Sequence, residues 1–479
     1  MRVSLFGIGT LSESAAITAE RRINCLVERR AEADRTTYAV IGRPGLSSFI
    51  STLGNSPSRG LWAVNSLATP LLFTVNQGTL YSINNAGVVS IIGTIGTTAG
   101  DVSMADDGTY LVLVDGTNGY WYNMQTPGAL TQIVDGNFTT NPQTVCWMDQ
   151  YFIVTAGDSR QFQLSQISPS VDPATWPAIQ INFTGTGASA LQAGIADHST
   201  LHLFAQEYTE YWQNTGSPDF PFAAIPGSAQ EFGLASPWSL TKYDNSLTGV
   251  FRNKMGGVNV SKMSGFRLER LSDHDIEYIL ANYSAASIGS CTGYAFMIGG
   301  HPLYLVNFPN EATWVWNGLS QTWTEWTDPD GERFWGNKFA VFQGRLCVAD
   351  YRDGNIYQFS LSTFDDNGSL VRTELVSKHI WQDDKYVGIQ RIQIDIESGS
   401  GLAVGQGSAP VMDLMVSKDG GRSFYSVGFS SMGAIGEYTT RVVWNSLGAA
   451  RDWVLKLRVT DPIHRVITGA SAEVTNWSF

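Results

Sequence analysis

Four groups of residues have types and spacings that suggest chemistry. The segment Ser417-Lys-Asp-Gly-Gly-Arg-Ser-Phe424 fits the Asp-box pattern Ser-x-Asp-x-Gly-x-x-aromatic, opened here by Ser417. In such a turn the Asp419 carboxylate caps backbone N–H groups, Gly421 takes a backbone conformation other residues resist, and Phe424 packs underneath. That role is structural. Trp314, Trp316, Trp323, Trp326 and Trp335 crowd one region with Glu325, Asp328, Asp330 and Glu332. Tryptophan platforms beside two carboxylates are what glycoside cleavage requires. The plainer account puts the rings in a β core and the acids in the turn Asp328-Pro-Asp-Gly331, and the turn signal favours it. His198 and His202 have the spacing of two metal ligands on a helix. The surrounding Thr200-Leu-His-Leu-Phe204 reads as a strand, however, where four residues span roughly 13 Å, too far for one ion. His274 in Ser272-Asp-His-Asp275 is expected in a solvated turn. No phosphate loop, nucleophile elbow or His-Glu-x-x-His occurs. The expectation is a chain with no catalytic residue, cofactor or metal.

The elements that would position these residues are short β-hairpins. Leu72 to Tyr81, Tyr110 to Tyr122, Tyr151 to Phe162, Leu201 to Trp212, Tyr294 to Leu305 and Arg345 to Tyr357 each place an apolar strand, a Gly/Asp/Asn turn and an aromatic-rich strand in succession, with a weaker copy near Val250 to Val260. Their starts fall roughly 40 to 50 residues apart, the period of four-stranded propeller blades. The fold class expected is all-β: a β-propeller of six or seven blades over 56–362, a C-terminal β-sandwich-like domain over 363–479, and an N-terminal arm over 1–55. A pair of sandwiches is the rival reading. Within the arm, Ser14 to Arg30 suits either an amphipathic helix or an extended segment. Gly42-Arg-Pro-Gly-Leu46 reads as a turn in which Pro44 fixes φ and Gly45 can take positive φ. After Thr363 the strands lengthen. In Tyr386 to Ile396 the apolar residues switch parity near Gln390-Arg391, which a β-bulge would reconcile with one buried face. Val454 to Val459 alternates as a half-buried strand, and the strands here form a sandwich or return to complete the propeller.

Composition narrows the class. Charged residues are 15% and aromatics 12%, which disfavours disorder and long helical bundles and favours strands. The net charge is −13, and no basic stripe of the kind that grips phosphates is visible. Cys25, Cys146, Cys291 and Cys347 are widely spaced and read as reduced, buried thiols of a protein made in a cytoplasm. Neither an export signal nor an apolar run long enough for a membrane-spanning helix is found, so no membrane insertion is expected.

Three stretches together resemble one family, the packaged-DNA stabilisation or tail hub (nozzle) proteins of short-tailed bacteriophages. The first is Ala19-Glu-Arg-Arg-Ile-Asn24 with Glu28, then Gly42-Arg-Pro-Gly-Leu46; the second is Arg59-Gly-Leu-Trp62 with Gly78-Thr-Leu-Tyr81; the third is Val102 to Gly108, Leu113 to Gly116 and Tyr120. The family phrase Arg-x-Ile-Asn-x-Tyr-x-Glu is matched by Arg21, Asn24 and Glu28 with Leu26 at the Tyr position. The following Thr-Pro-Gly-Leu turn is matched by Pro44 and Gly45 with Arg43 at the Thr position. Arg59 and Gly60 complete the matched set. The resemblance implies a homo-oligomeric ring, commonly hexameric, below the portal and adaptor. Its implied partners are a tail needle or plug and tail fibres or spikes, with DNA passing through without sequence-specific binding. The place implied is the virion tail, after assembly in the host cytoplasm. The alternative is a carbohydrate-binding or sialidase-like propeller; Phe251-Arg252-Asn253 is the nearest string to the Phe-Arg-Ile-Pro phrase of that class, and it is incomplete.

Overall fold

The computed structural model describes residues 18–29, 38–382 and 385–477. Seven antiparallel sheets succeed one another around a circle. Blades 1 to 4, at 58–94, 103–132, 142–183 and 191–224, are four-stranded meanders. In blade 5 (232–270) the innermost strand is broken into Phe232–Leu234 and Thr241–Tyr243, and both pieces pair with Ser246–Asn253. Blade 6 occupies 292–326, and blade 7 begins with three strands within 336–360.

Local sequence accounts for the hairpins. Asp149-Gln150, His198-Ser199, Asp244-Asn245, Gly299-Gly300 and Gln343-Gly344 join the first two strands of five blades, and every one of these residues has positive φ. Two-residue turns of that hand match the right-handed twist of the flanking strands. His198 therefore lies in a turn and not on the strand of His202, which is Thr200–Ala205. Between blades 5 and 6 the chain is helical. Ser272 to Asp275, expected as a turn, instead opens α1 (His274–Asn282), because the Asp273 carboxylate accepts the Ile276 N–H at 2.9 Å and caps it.

The N-terminal residues, read from sequence as an arm, supply four strands to three different sheets. β1 (Arg21–Ile23) pairs in parallel with the outer strand of blade 6, Ile23 opposite Glu325, and antiparallel with Thr373–Val376. β2 (Cys25–Arg29) and β3 (Tyr38–Gly42) form a hairpin in the C-terminal domain. β4 (Gly45–Ile50) is the fourth strand of blade 7, with Leu46 opposite Phe359. The propeller is thus closed by its N-terminal end, and the C-terminal strands form a separate sandwich. Of the Ser14 to Arg30 segment, residues 14–17 and Arg30 lie outside the described residues; Arg21 to Arg29 is extended apart from Asn24.

One sheet of the sandwich holds β2, β3, Val466–Trp477, Tyr386–Ile396 and Val442–Ala450. The other holds Thr373–Val376, Asp452–Val459, Val411–Ser417 and Tyr425–Ser431, and through β1 it runs on into blade 6. The ladder of Tyr386–Ile396 shifts register between Ile389 and Arg391. As a result Val387, Ile389, Ile392 and Ile394 all enter one core with Leu455, Leu457 and Val459.

Candidate functional site

The family-phrase residues gather at the junction of propeller and sandwich. Asn24 sits between β1 and β2 with φ +53, a conformation its short amide tolerates. Fully buried, it spends every polar atom of its side chain. Its Oδ1 accepts from Arg43 Nε and from the Thr327 N–H, both at 2.9 Å, while its Nδ2 donates to Thr327 Oγ1 (3.0 Å) and the Arg372 carbonyl (2.9 Å). Arg43 is equally inaccessible. Its Nη1 donates to Asp366 Oδ1 at 2.9 Å, its Nη2 bonds the other carboxylate oxygen, and the guanidinium lies 4.8 Å from the Phe334 ring centroid. A buried charge needs such a partner, because leaving water costs several kcal/mol. Arg21 grips Glu325 with two bonds of 2.8 Å. The residue at the Thr position of the family turn is therefore the centre of a buried knot that joins β1, β3, blade 6 and the strand of Asp366.

Gly45 does not use positive φ. It is required by close approach, since a Cβ there would meet the Asp365 carbonyl oxygen at 2.3 Å and that of Thr363 at 2.6 Å. Pro44 lies between β3 and β4, and its carbonyl accepts from Arg43. Arg59 is buried at the seam of blades 1 and 2, donating to the carbonyls of Gln77, Thr97, Ala99 and Gly100. Gly60 beside it leaves no room for a Cβ, which would lie 2.7 Å from the Val102 carbonyl oxygen. Glu28 is half-buried opposite Ala39 in β2. Burial lowers the proton affinity of His301 nearby, and the charge of Glu28 opposes it.

The other candidates are dispersed. In the Asp-box turn, Asp419 Oδ1 accepts from the Arg422 N–H (3.1 Å), the Ser423 N–H (3.0 Å) and Ser417 Oγ (2.6 Å), and these bonds hold its carboxyl well below the usual carboxylate range. Gly421 has φ +88, and Phe424 packs against Ala19, Val376 and Val454. Trp314, Trp323, Trp326 and Trp335 are buried in blade cores, Glu325 is occupied by Arg21, and Asp328 accepts the N–H groups of Asp330 and Glu332 within its own turn. Trp316 alone of the five is only half-buried, and its ring packs on Trp323 with centroids 5.4 Å apart. His202 is buried with no partner for Nδ1, and among the described residues no group of three metal-ligating side chains comes together. Burial pushes the thiols of Cys25, Cys146, Cys291 and Cys347 up to about 12, so they are inert rather than nucleophilic.

A feature that sequence reading missed is the cavity on the propeller axis. It measures about 530 Å³ and is lined by the innermost strands of all seven blades, among them Trp62, Asp106, Trp147, Gly194, Lys242, Tyr294 and Lys338. A volume of this size suits a small ligand or a few side chains (roughly 300–1,000 Å³).

Comparison with known proteins fits this architecture. The family model described as bacteriophage P22 Gp10, beta-propeller, matches residues 22–364, and the one described as bacteriophage P22 Gp10, beta-sandwich, matches 372–475. No curated protein matches the chain. Among solved structures, the WD40 β-propeller domain of Doa1 is 11% identical with a TM-score of 0.41, covering 66% of this chain and 97% of that one. BamB from Moraxella catarrhalis is 10% identical with a TM-score of 0.41, covering 71% and 98%. With propeller and sandwich matched in order across nearly all of its described length, the chain belongs to the phage structural family of the P22 packaged-DNA stabilisation and tail hub protein Gp10.

Proposed function

We propose that this chain is a non-enzymatic subunit of a tail hub or nozzle ring, the piece that follows the adaptor in the path of the DNA. The observation that carries the reading is the ordered match of both family domains. In this reading copies of the chain close into a ring, commonly of six, beneath the portal–adaptor complex. The ring stabilises packaged DNA, receives a needle or plug and carries fibres or spikes at its side. Assembly takes place in the host cytoplasm and the product resides in the virion tail.

The physical properties support it. A closed propeller has few free strand edges, so copies meet through side surfaces and not through uncontrolled sheet extension. The net charge of −13 suits a wall past which DNA slides rather than one that holds it. In a ring of several copies the conduit for DNA lies between subunits. The sugar-binding alternative loses its candidate site to the buried tryptophans and the Arg21–Glu325 pair.

Light scattering on the purified protein, alone and after addition of portal–adaptor complex, tests the proposal. A multi-copy ring that forms on the complex is expected. A chain that stays monomeric and does not bind the complex would overturn it.

A further inference from the structure

Charge is distributed unevenly around the circle of blades. Residues 101–241, which hold blades 2 to 4, carry thirteen carboxylates and one cation, Arg160, and so account for nearly all of the net −13. Among the described residues only Asp101, Asp197 and Glu231 of these acids pair with a lysine. Asp149, which is exposed, lines a groove of about 540 Å³ together with Tyr151 and Ile167 of blade 3 and Asn214, Pro218 and Pro221 of blade 4. Asp219, also exposed, adjoins it beside Pro218.

Residues 371–479 are balanced instead, with eleven groups of each sign, and at one end of the sandwich exposed cations meet exposed rings. Lys418 Nζ lies 5.8 Å from the ring centroid of Tyr425 and 4.8 Å from that of Trp453, and the Arg451 guanidinium lies 5.2 Å from that of Tyr386. Trp381 pairs across strands with Asp452, next to Arg451, and is 63% exposed, so core packing does not account for it. Arg422 is exposed in the adjoining Asp-box turn, where a Cβ on Gly420 would lie 3.0 Å from Asp452 Oδ2. Of the described acids at this end, Asp419 is held within its own turn and Asp452 pairs with His379 at 2.8 Å. Lys418, Arg422 and Arg451 form no ion pair among the described residues. Such a patch of rings and cations marks an interface.

The sandwich is attached at blades 6 and 7, through β1 and β4. In a closed circle of seven blades, blade 3 stands opposite them. Sandwich and acidic blades thus lie on opposite sides of one subunit, the arrangement a head-to-tail contact uses, and opposite charges fix the register of such a contact.

We propose that the cationic, aromatic end of one copy's sandwich docks on blades 3 and 4 of the next copy. Arg422 and Arg451 face Asp149 and Asp219, and the Trp381 ring enters the groove between the two blades. This contact presupposes the ring proposed above and supplies its joint.

The yield of rings formed by the full chain on portal–adaptor complex, read by light scattering, tests it. Arg422→Glu/Arg451→Glu and Asp149→Lys/Asp219→Lys, all at exposed positions, should each lower the yield about tenfold while melting as the wild type does. The chain carrying all four changes should recover it to within about twofold, because the pairing is restored with its signs exchanged. The milder Trp381→Ser, Arg451→Gln and Asp219→Asn should each lower it about threefold, and about 1 M salt should act on the wild type in the same direction. Rings unaffected by either reversal, or a loss that the fourfold variant does not restore, would overturn this contact and leave the ring standing. A wild type that forms no ring removes both. Rings that persist in Arg422→Glu/Arg451→Glu, with wild-type binding to an oligothymidylate or to anionic phospholipid vesicles lost in that variant, would assign the cationic end to nucleic acid or lipid instead.

Discussion

Removing one half of the Arg43–Asp366 pair is the sharpest test of how the N-terminal segment holds the molecule together. Both side chains are essentially inaccessible, at 0% and 1%. Arg43→Met keeps much of the apolar contact with Trp326 and Phe334 but leaves the Asp366 carboxylate buried without its cation, and it frees one acceptor of Asn24. Breaking a buried ion pair in this way costs about 3–5 kcal/mol. Asp366→Leu strands the guanidinium and should cost a similar amount. The double variant removes both charges and should lose far less than the sum, with a coupling of about 2 kcal/mol or more between the two positions. Denaturant unfolding followed by tryptophan fluorescence gives the four corners of the cycle. Hydrogen exchange at Gly45, whose N–H donates to the Thr363 carbonyl at 2.9 Å, reports whether β4 loosens first. Single variants that each lose under about 1 kcal/mol, or losses that simply add, would refute the claim that this pair couples β3 to blade 7.

Further expectations follow from the same structure. Gly45→Ala should open the closure of blade 7, because the new Cβ meets two backbone carbonyl oxygens that cannot move aside cheaply; an unchanged melting temperature and unchanged exchange in β4 would count against it. Burial lowers the pKa of His202 to about 4, with Asp197 opposing and His198 and Lys242 reinforcing the shift. A folded-state value below the unfolded one near 6.5 means that the unfolded chain binds the proton more tightly. This contribution to stability is therefore complete above about pH 6.5 and is lost as pH falls toward 4, to a total of roughly 3 kcal/mol. His202→Leu should flatten that part of the stability profile, and a profile identical to wild type would exclude the effect. Asp419→Ala removes the acceptor of two turn amides and should lower the unfolding temperature of the sandwich; equal melting curves would show that the turn holds without it.

Much of the architecture follows from local sequence. The hairpins follow from alternating apolar strands and from turn residues that tolerate positive φ. The bulge in Tyr386–Ile396 was visible as a change of parity, and the Asp-box turn as a spacing of Ser417, Asp419, Gly421 and Phe424. The family phrase singled out Arg21, Asn24 and Gly45 without showing what they do. Gly45 illustrates the limit: its sequence context suggests a left-handed turn residue, whereas the structure requires it because another strand passes within contact distance.

What tertiary structure alone decided is how distant segments are tied. Blade 7 is finished by β4 and not by the C-terminal strands, Glu325 is the partner of Arg21 rather than one of a catalytic pair, and Arg43 finds Asp366 across 323 positions of chain. Periodicity and turn chemistry act over a few residues, so they specify strands and hairpins. Which edge a strand completes, and which charge a buried guanidinium meets, depends on the closing of the whole ring of sheets, because only then are those groups removed from water and forced to find partners.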